Sequence, residues 1–447
     1  MKVTKNREKK NKKRTKSNNF KTQFTEKRLS SKGGLALIKK LWDKLGGENE
    51  LEQGISIEKG ANATYPISRV LTILVLGIVG GAKHISHLYQ LSVDDALRSL
   101  WNWVKFPVVS TITRTLELFN HRHCYELTSV HQRLRQKVWK NKYRLQKVTL
   151  DLDSSPKTVY GNQEGVGKGY NPEHPGKKSY HPLFCFVSET LEILHGWLRD
   201  GTAYTANGAA EFFKECFSFL PQMVRWVTVR ADAGFFGKEF LDLLEQFKCK
   251  YIIACKIKGW KVLAETKANW RKRGANLWTG TFYHQCQGWD KPRKFVAVKE
   301  LLGYDYSPNF FGPQPIYDYY LCVTNIDNSV LTLWRFYNKR ANCENLIAQG
   351  KNQIGMGSMR TQLFWSNAVL FELALLAYNL IVWFRRTCFP MTRWNEEVET
   401  FRSWFLYTAA KVVHTGRKWY LNLSEGLPWK REWQQTLSIL EQLVYTE

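Results

Sequence analysis

The hydrophobic pattern of this chain changes its period at Lys147, and that change limits the folds the chain can adopt. Before this point, from Leu35 to about Asn141, apolar residues recur at the spacing of amphipathic helices. After it, apolar and polar residues alternate as they do in strands. The alternating segments are Val148–Asp153, His181–Ser188, Glu192–Leu198 and Val224–Arg230, and a helical pattern over Ala206–Leu220 precedes the last of them. The pattern predicts an α/β protein with a mixed sheet and flanking helices.

Three strands, one helix and a fourth strand are the opening order of an RNase H-like core, which we place at residues 146–386. A stretch at about 251–328 is rich in aromatic and β-branched residues and in turn signals, so a β-rich insertion is expected there. The apolar run Trp365–Phe384 has the length of a membrane span, but Glu372 and two asparagines interrupt it. We therefore predict a buried core helix and no membrane partner.

The chain is strongly basic, with 66 Lys and Arg against 39 Asp and Glu and a formal net charge of +27. Residues 1–32 hold 13 Lys and Arg and two acids, a net +11, which leaves 27 − 11 = +16 on the rest. This balance indicates a polyanionic partner. We predict a basic arm at 1–32 that is disordered until it binds an anion, a helical DNA-binding region at 33–145 and a basic helical region at 387–447.

Two closely joined helices in the region 33–145 leave two interpretations open. Ser110 is a predicted N-cap for a helix over Thr111–Asn120, shortly after the break at Pro107. The pair could form a helix-turn-helix that reads a DNA terminus, or a packed bundle without groove contacts. The sequence favours neither.

Carboxylates follow two of the predicted strands. In Thr149-Leu-Asp151-Leu-Asp153, alternation places both acids on one face, where they repel each other unless a cation lies nearby. A metal site is one interpretation, and exposed acids on an edge strand are the other. Asp232 directly follows the strand Val224–Arg230, at the kind of strand end where active-site groups gather, although such an acid often caps a turn instead.

A polar stripe is predicted on a helix after the insertion. Tyr337, Arg340, Glu344 and Lys351 are spaced three, four and seven apart, so on one helix they fall within an arc of about 60°. A solvated face with an Arg–Glu pair would explain the spacing as well. Combined with the strand acids, however, the stripe offers hard oxygen ligands for Mg²⁺ and cations for phosphate, which metal-assisted phosphodiester chemistry requires.

These four residues match the Y-x2-R-x3-E-x6-K signature of the IS4-like superfamily of bacterial insertion-sequence transposases at every position. Within that superfamily the chain most resembles the IS1380 family. The resemblance also rests on Leu150-Asp-Leu-Asp153-Ser-Ser155, Tyr160-Gly-Asn-Gln-Glu-Gly165, Gly169-Tyr-Asn-Pro172 and Arg230-Ala-Asp-Ala-Gly-Phe-Phe236. These stretches span about Lys147 to Arg386.

The resemblance implies a DNA transposase in which Asp153, Asp232 and Glu344 bind two Mg²⁺ ions, with Mn²⁺ as a possible substitute. Asp151 is the alternative first acid. Asp153 is preferred because a small residue and a hydroxyl follow it, as in the family. Tyr337, Arg340 and Lys351 are then expected to contact DNA phosphates.

The same resemblance implies terminal inverted repeats and target DNA as partners, a homodimer within a synaptic complex, and a bacterial, nucleoid-associated cytoplasmic location. In relatives the insertion supplies a tryptophan that stacks on a flipped base. Trp270, Trp278 and Trp289 are candidates for that role, and a core role is the alternative for each. Two other functions are compatible with the residues: a catalytically silent, domesticated DNA-binding protein, and an RNase H-like nuclease without strand transfer.

Some motifs point elsewhere and are set aside. Gly165-Val-Gly-Lys168-Gly lacks the first glycine and the final hydroxyl of a phosphate loop. The pairs His84/His87 and His121/His123 lack the second half of a zinc site. Nine cysteines stand singly, which argues against a disulfide framework and fits a reducing cytoplasm.

Overall fold

The computed structural model describes residues 21–60, 63–255, 259–307, 312–356, 358 and 361–445. Its N-terminal third is helical, and the long helix at the end of this region leads into the main sheet. The helices of this third are α1 (Leu35–Lys44), α2 (Gly47–Gly54), α3 (Ile67–Val79), α4 (Tyr89–Ser92), α5 (Asp95–Leu100), α6 (Val109–Leu116) and α7 (His121–Lys142). Helix α6 begins one residue before the predicted Ser110 cap and ends before Asn120, which instead caps α7 through a hydrogen bond with the His123 backbone.

Strands and helices alternate through the centre of the chain, and three more strands, the first and the last two, lie near its two ends. The strands are β1 (Leu29–Ser30), β2 (Lys147–Ser154), β3 (Lys157–Thr158), β4 (Ser179–Tyr180), β5 (Leu183–Val187), β6 (Glu192–Trp197), β7 (Trp226–Ala231), β8 (Lys250–Ala254), β9 (Arg271–Lys272), β10 (Leu277–His284), β11 (Arg293–Asp305), β12 (Gln314–Thr324), β13 (Ala410–Thr415) and β14 (Lys418–Leu423). The remaining helices are α8 (Ala209–Ser218), α9 (Lys238–Gln246), α10 (Trp260–Lys267), α11 (Val330–Asn338), α12 (Ala341–Gln349), α13 (Phe364–Cys388), α14 (Val398–Phe401) and α15 (Lys430–Gln442).

The core of the sheet has the strand order β6-β5-β2-β7-β8. Strand β2 is antiparallel to β5 and parallel to β7, and β7 is parallel to β8. Three antiparallel strands followed by two parallel ones, with β2 in the centre, form an RNase H-like sheet. The predicted fold class is confirmed, and each of the four predicted strands has its counterpart within three residues.

The stretch at 251–328 is rich in strands, as expected, with β9 to β12 inside it, but it extends the core sheet and its predicted start falls within a core strand. Tyr251 lies inside β8, which is a strand of the core sheet, and β12 pairs antiparallel with β8 at Cys322–Thr324. Strands β11, β10 and β9 continue beyond β12, so within the described residues one sheet has nine strands. The reason is that β8 would otherwise be an exposed apolar edge, and an added strand satisfies its backbone groups. The segment also contains a helix, α10.

An ion-pair cluster links strands β9 to β12, the sheet extension, to the core. Arg293 of β11 donates to Glu245 of α9 at 2.8 Å and also pairs with Asp242, and Lys291 contacts Glu245 at 2.7 Å. Burial alone would raise the pKa of Glu245, but the hydrogen bonds from Arg293 and Lys291 outweigh it and lower that pKa from 4.5 to about 2.

The Glu245 cluster gives a pH-dependent stability. Because the folded-state pKa is depressed, its stabilisation is present above pH 4.5 and is lost as the pH falls towards about 2. We expect Glu245→Gln to melt below the wild type at neutral pH, with the difference in Tm shrinking through that acid window. Thermal unfolding of both proteins across pH would check this, and a pH-independent difference would contradict it.

Two further predictions about the termini need correction. Of the predicted disordered arm, Leu29 and Ser30 form β1, which pairs with Lys411 and Ala410 of β13, while residues 1–20 lie outside the described part of the chain. The region 387–447 is not only helical, because β13 and β14 form a hairpin. The adjacent β-branched residues Val412 and Val413 and the run Trp419-Tyr-Leu421 favour strands there, and β1 completes the sheet by covering the outer edge of β13.

Helix α13 is long and apolar enough to cross a membrane by length and composition, but 94% of its most apolar window is buried inside the protein. It packs against α3, α7 and β6. The polar residues that interrupt it form buried hydrogen bonds: Glu372 contacts His131 of α7 at 2.7 Å, and the Asn379 side chain bonds to the backbone of Ile193 in β6. These contacts support the prediction of a core helix that joins the helical region to the sheet.

Candidate active site

Two acids meet at the carboxyl ends of the central parallel strands. Strands β2 and β7 run in register up to the pair Leu152 and Ala231, and the next residues along the two strands are Asp153 and Asp232. Asp153 is buried, and one of its oxygens accepts a hydrogen bond from the Ser154 backbone at 2.8 Å. Asp232 accepts from the Gly234 backbone at 3.0 Å and caps the short 3-10 turn that follows. The parallel pairing of two strands thus brings together acids that are far apart in sequence.

Arg340 joins the third acid to this pair. Its guanidinium donates to Asp153 Oδ2 at 3.0 Å and to Glu344 Oε1 at 2.7 Å. Asp153 and Arg340 are about 10% exposed, whereas the Glu344 side chain is 60% exposed. The site therefore has one buried acid, Asp153, one partly buried acid, Asp232, and one solvent-facing acid, Glu344, with Arg340 bridging the first and the last.

The acids are held in an environment that is short of positive charge. Burial raises the pKa of Asp153 to about 6; Arg340 opposes this shift and Asp232 adds to it. Burial also raises the pKa of Asp232, where Arg340 again opposes the shift and Glu344 adds to it. One guanidinium does not compensate the three acids, so the site favours additional cations.

The alternative first acid, Asp151, has a different partner. Arg230, which faces it across the β2–β7 pairing, donates to both of its oxygens, at 2.6 and 2.7 Å. Arg230 also donates to Ser188 Oγ at 2.8 Å and to the Phe336 carbonyl at 2.7 Å. Both oxygens of Asp151 are thus engaged by one buried guanidinium, whereas Asp153 shares a single oxygen with Arg340 and accepts the Ser154 backbone N–H at the other. Sequence reasoning missed this role for Arg230, and the only available signal was a cation on the neighbouring strand.

The predicted single polar stripe is wrong in its geometry. Helix α11 ends at Asn338 and α12 begins at Ala341, with a tight turn in which the Arg340 backbone donates to the Tyr337 carbonyl at 2.8 Å. Lys351 lies beyond α12, in a π-helical turn over Gly350–Ile354. The tight turn before Arg340 and the wider π-helical turn at Lys351 each change the rotation from one side chain to the next. The four residues therefore do not lie on one face of one regular helix.

Each residue of the signature consequently has its own surroundings. Tyr337 packs against the small apolar cluster around Ile252 and Leu333, and burial raises the pKa of its phenol. Lys351 donates to Ser155 Oγ and to the Pro156 carbonyl, just beyond the end of β2, and burial lowers the pKa of its amine. Arg340 and Lys351 therefore both reach the end of β2 that carries Asp153.

Three carboxylates are the hard oxygen donors that Mg²⁺ and Mn²⁺ prefer, so the donor set fits such an ion. Burial raises the pKa of both strand acids, and Arg340 offsets this shift only in part. In this arrangement Arg340 lies between Asp153 and Glu344, and the described residues contain no group of three or more His, Cys, Asp or Glu already placed to hold an ion. Ion binding at these acids requires the guanidinium to move.

The tryptophans of the sheet extension divide into two environments. Trp289 is buried, stacked near Phe295 and beneath Arg293. Trp270 and Trp278 are partly exposed and flank the Lys299 amine at 5.4 and 5.9 Å. Trp289 has the surroundings of a core residue.

The motifs set aside have structural contacts. Gly167, in the glycine-rich stretch, bridges to Ser179, and a Cβ on Gly201 would come within 1.7 Å of the Ser179 carbonyl, so close backbone packing explains these glycines. His123 completes the cap of α7, and the His121 ring contacts Trp365.

An RNase H-like sheet with acids at the ends of its two central parallel strands, and a third acid on a following helix, defines a class of polynucleotide-processing enzyme. The chain belongs to the family described as "Transposase DDE domain group 1", whose model matches residues 12–445. Among solved structures, it is similar to a piggyBac transposase in a synaptic complex with hairpin DNA, at 14% identity and a TM-score of 0.44, over 84% of this chain and 79% of that one. A pre-cleavage Mos1 transpososome matches at 12% identity and a TM-score of 0.16, over 44% and 61% of the two chains. No curated protein matches the chain.

Proposed function

We propose that this DDE transposase binds the terminal inverted repeats of an insertion sequence, cleaves both ends and joins them to target DNA. The observation that carries the proposal is the meeting of Asp153, Asp232 and Glu344 around Arg340 at the ends of β2 and β7. The signature that contains Arg340 and Glu344 also supports a place in the IS4-like superfamily, with the IS1380 family as the best candidate.

Asp153, Asp232 and Glu344 would hold two Mg²⁺ ions, with Mn²⁺ able to substitute. When bound, such a pair supplies activation of the nucleophile and stabilisation of the leaving oxygen. The exposed Glu344 can approach the two strand acids once Arg340 releases it. Until then Arg340 donates to both Asp153 and Glu344 and offsets part of their charge.

Three residues of the chain would position the DNA phosphates. Once released from the acids, the planar guanidinium of Arg340 could donate two parallel hydrogen bonds to phosphate oxygens. The Lys351 ammonium would add a compact positive charge beside the end of β2. Tyr337, with a phenol kept protonated by burial, can donate a hydrogen bond. Water and then the freed 3′-hydroxyl are the successive nucleophiles, and these contacts would hold the phosphate in line with each of them.

The partners follow from this chemistry. Each element has two ends and each subunit one set of acids, so a homodimer in a synaptic complex with both ends and target DNA is proposed. The basic charge outside the first 32 residues supports extended contact with DNA phosphates. A bacterial cytoplasm with nucleoid association fits these partners.

A strand-transfer assay on a pre-cut terminal end, with Mg²⁺ and supercoiled target, tests the proposal, with Asp232→Asn as the matched inactive protein. A joined product from the wild type and none from Asp232→Asn is expected. Cleavage of an uncut terminal end assayed in parallel, without joining of the pre-cut end, would identify the alternative nuclease. DNA binding that is equal in the two proteins, with no cleavage by either, would identify a silent DNA-binding protein.

A further inference from the structure

The hairpin β13–β14 ends in a strained, basic tip. Thr415 and Lys418 form the last pair, so Gly416 and Arg417 make a two-residue turn, and their φ angles are +55° and +61°. Both positions are left-handed, as a tight hairpin turn requires. Glycine meets that requirement without strain, but arginine does not. The fold therefore gives no reason for an arginine at position 417.

The side chains around the tip form an exposed layer of rings and cations. His414 stacks on Trp419 with ring centroids 4.3 Å apart, and the Arg28 guanidinium lies 5.3 Å over the same indole. Trp419 and Tyr420 are 41% and 47% exposed. Within the described part of the chain, Arg417 and Lys418 are exposed and have no acidic partner. The nearby acids Glu26 and Asp95 already face Lys411 and Arg28.

The tip is attached to elements that connect it to the candidate active site. Strand β1 pairs with β13, and the residues that lead into it, 1–20, carry nine Lys and Arg against one acid. Just before the hairpin, the buried Arg402 donates to the Gln353 carbonyl at 2.5 Å, two residues after Lys351. The hairpin and the π-helical turn that carries Lys351 are thus parts of one packed unit.

We propose that this hairpin tip is a second DNA contact, which docks through Arg417 and Lys418 on the phosphate backbone of duplex DNA outside the active site. Two unpaired cations on a rigid two-residue turn, backed by exposed rings, complement a polyanion and no apolar partner. The inference rests on the proposed function, because it takes DNA as the substrate.

The experiment compares variants that change charge and backbone strain equally at two places. Arg417→Gly removes a cation and relieves a left-handed backbone. Lys248→Gly does the same at an exposed residue with φ +57°, which precedes β8 at the opposite end of the sheet from Asp232. Binding to a mixed-sequence duplex is measured by fluorescence anisotropy over a range of salt concentrations, with thermal unfolding of each variant.

The slope of log K against log salt is negative, and its magnitude is expected to decrease by roughly 0.9 for Arg417→Gly and by roughly twice that for Arg417→Gly with Lys418→Gln. Both variants should have a Tm at or above that of the wild type. Lys248→Gly keeps the wild-type slope. Wild-type slopes in the tip variants would overturn the inference. Tip variants that lose self-association and keep their DNA affinity would also overturn it, because the tip would then contact a second copy of the chain. A wild type that fails to bind DNA would instead refute the proposed function.

Discussion

Asp153→Asn is expected to lower the rate of strand transfer roughly 10³-fold, because losing a carboxylate ligand removes several kcal/mol of stabilisation from charge that develops during the reaction. The same change should leave the Tm equal to or above that of the wild type. The reason is that burial raises the pKa of Asp153 to about 6, so the folded protein opposes its charge. The amide keeps the shape of the side chain and can still accept from Arg340.

Strand transfer and thermal unfolding should be measured on the same preparations, with DNA affinity as the control for an intact binding surface. Loss of activity with full stability and unchanged affinity places Asp153 in the chemistry. An active Asp153→Asn protein would contradict the assignment of this residue as the first acid. A strongly destabilised one would show that its contact with Arg340 is structural.

Asp151→Asn should lose stability and keep activity. We expect a loss of about 3–5 kcal/mol in the free energy of unfolding. Burial raises the pKa of Asp151 as it does that of Asp153, but the consequence of losing the carboxylate differs. Arg340 would keep Glu344 as a partner, whereas Arg230 is 1% exposed and would be left as a buried cation without its ion-pair partner. An asparagine can accept only one of the two hydrogen bonds that the guanidinium now gives to Asp151. Denaturant unfolding of wild type and variant measures this difference directly.

The double variant Asp151→Asn with Arg230→Met is the control for the Asp151 prediction. Removing the unpaired cation should recover part of the lost stability, since an apolar side chain of similar length avoids the cost of a buried charge. Strand transfer by the folded fraction of Asp151→Asn should remain measurable, in contrast to Asp153→Asn. A stable and inactive Asp151→Asn protein would contradict this prediction and would identify Asp151, not Asp153, as the first acid.

Arg340 explains how three acids can coexist in a folded protein before ions bind. It contacts Asp153 and Glu344 together, so the pair costs less than two free carboxylates would. Under the proposed function the same guanidinium would have to leave the two carboxylates before they share an ion, so ion binding would be linked to the release of Arg340 towards DNA phosphates.

The strands of the core could be predicted because alternation of apolar residues is a local property. Val148–Asp153 and its three successors appear within a few residues of their predicted bounds, and Asp232 appears at a strand end as expected. The start of the β-rich stretch was misplaced for the opposite reason. Whether Tyr251 belongs to the core or to an addition depends on which strand edge is free, and only the pairing of β8 with β7 and β12 decides that.

The four-residue signature shows the same limit. Arg340 and Glu344 face each other as the spacing predicts, but the tight turn before Arg340 and the π-helical turn at Lys351 separate them from the regular helix that the spacing of all four residues assumes. Sequence spacing assumes a regular helix, and these irregular turns depend on packing against the sheet. The roles of Asp151 and Asp153 are equally hidden, since both lie on one face of one strand and differ only in their neighbours.

The sequence by itself determined the class of fold, membership in a DDE transposase family, the strong positive charge and a set of candidate acids, because periodicity, composition and residue type are local properties. The tertiary structure decided which acid of β2 is paired with Arg230, that Arg340 bridges Asp153 and Glu344, and that the two ends of the chain share one small sheet. Those outcomes depend on contacts between residues far apart in the chain, whose energies exist only once the strands have paired and the helices have packed.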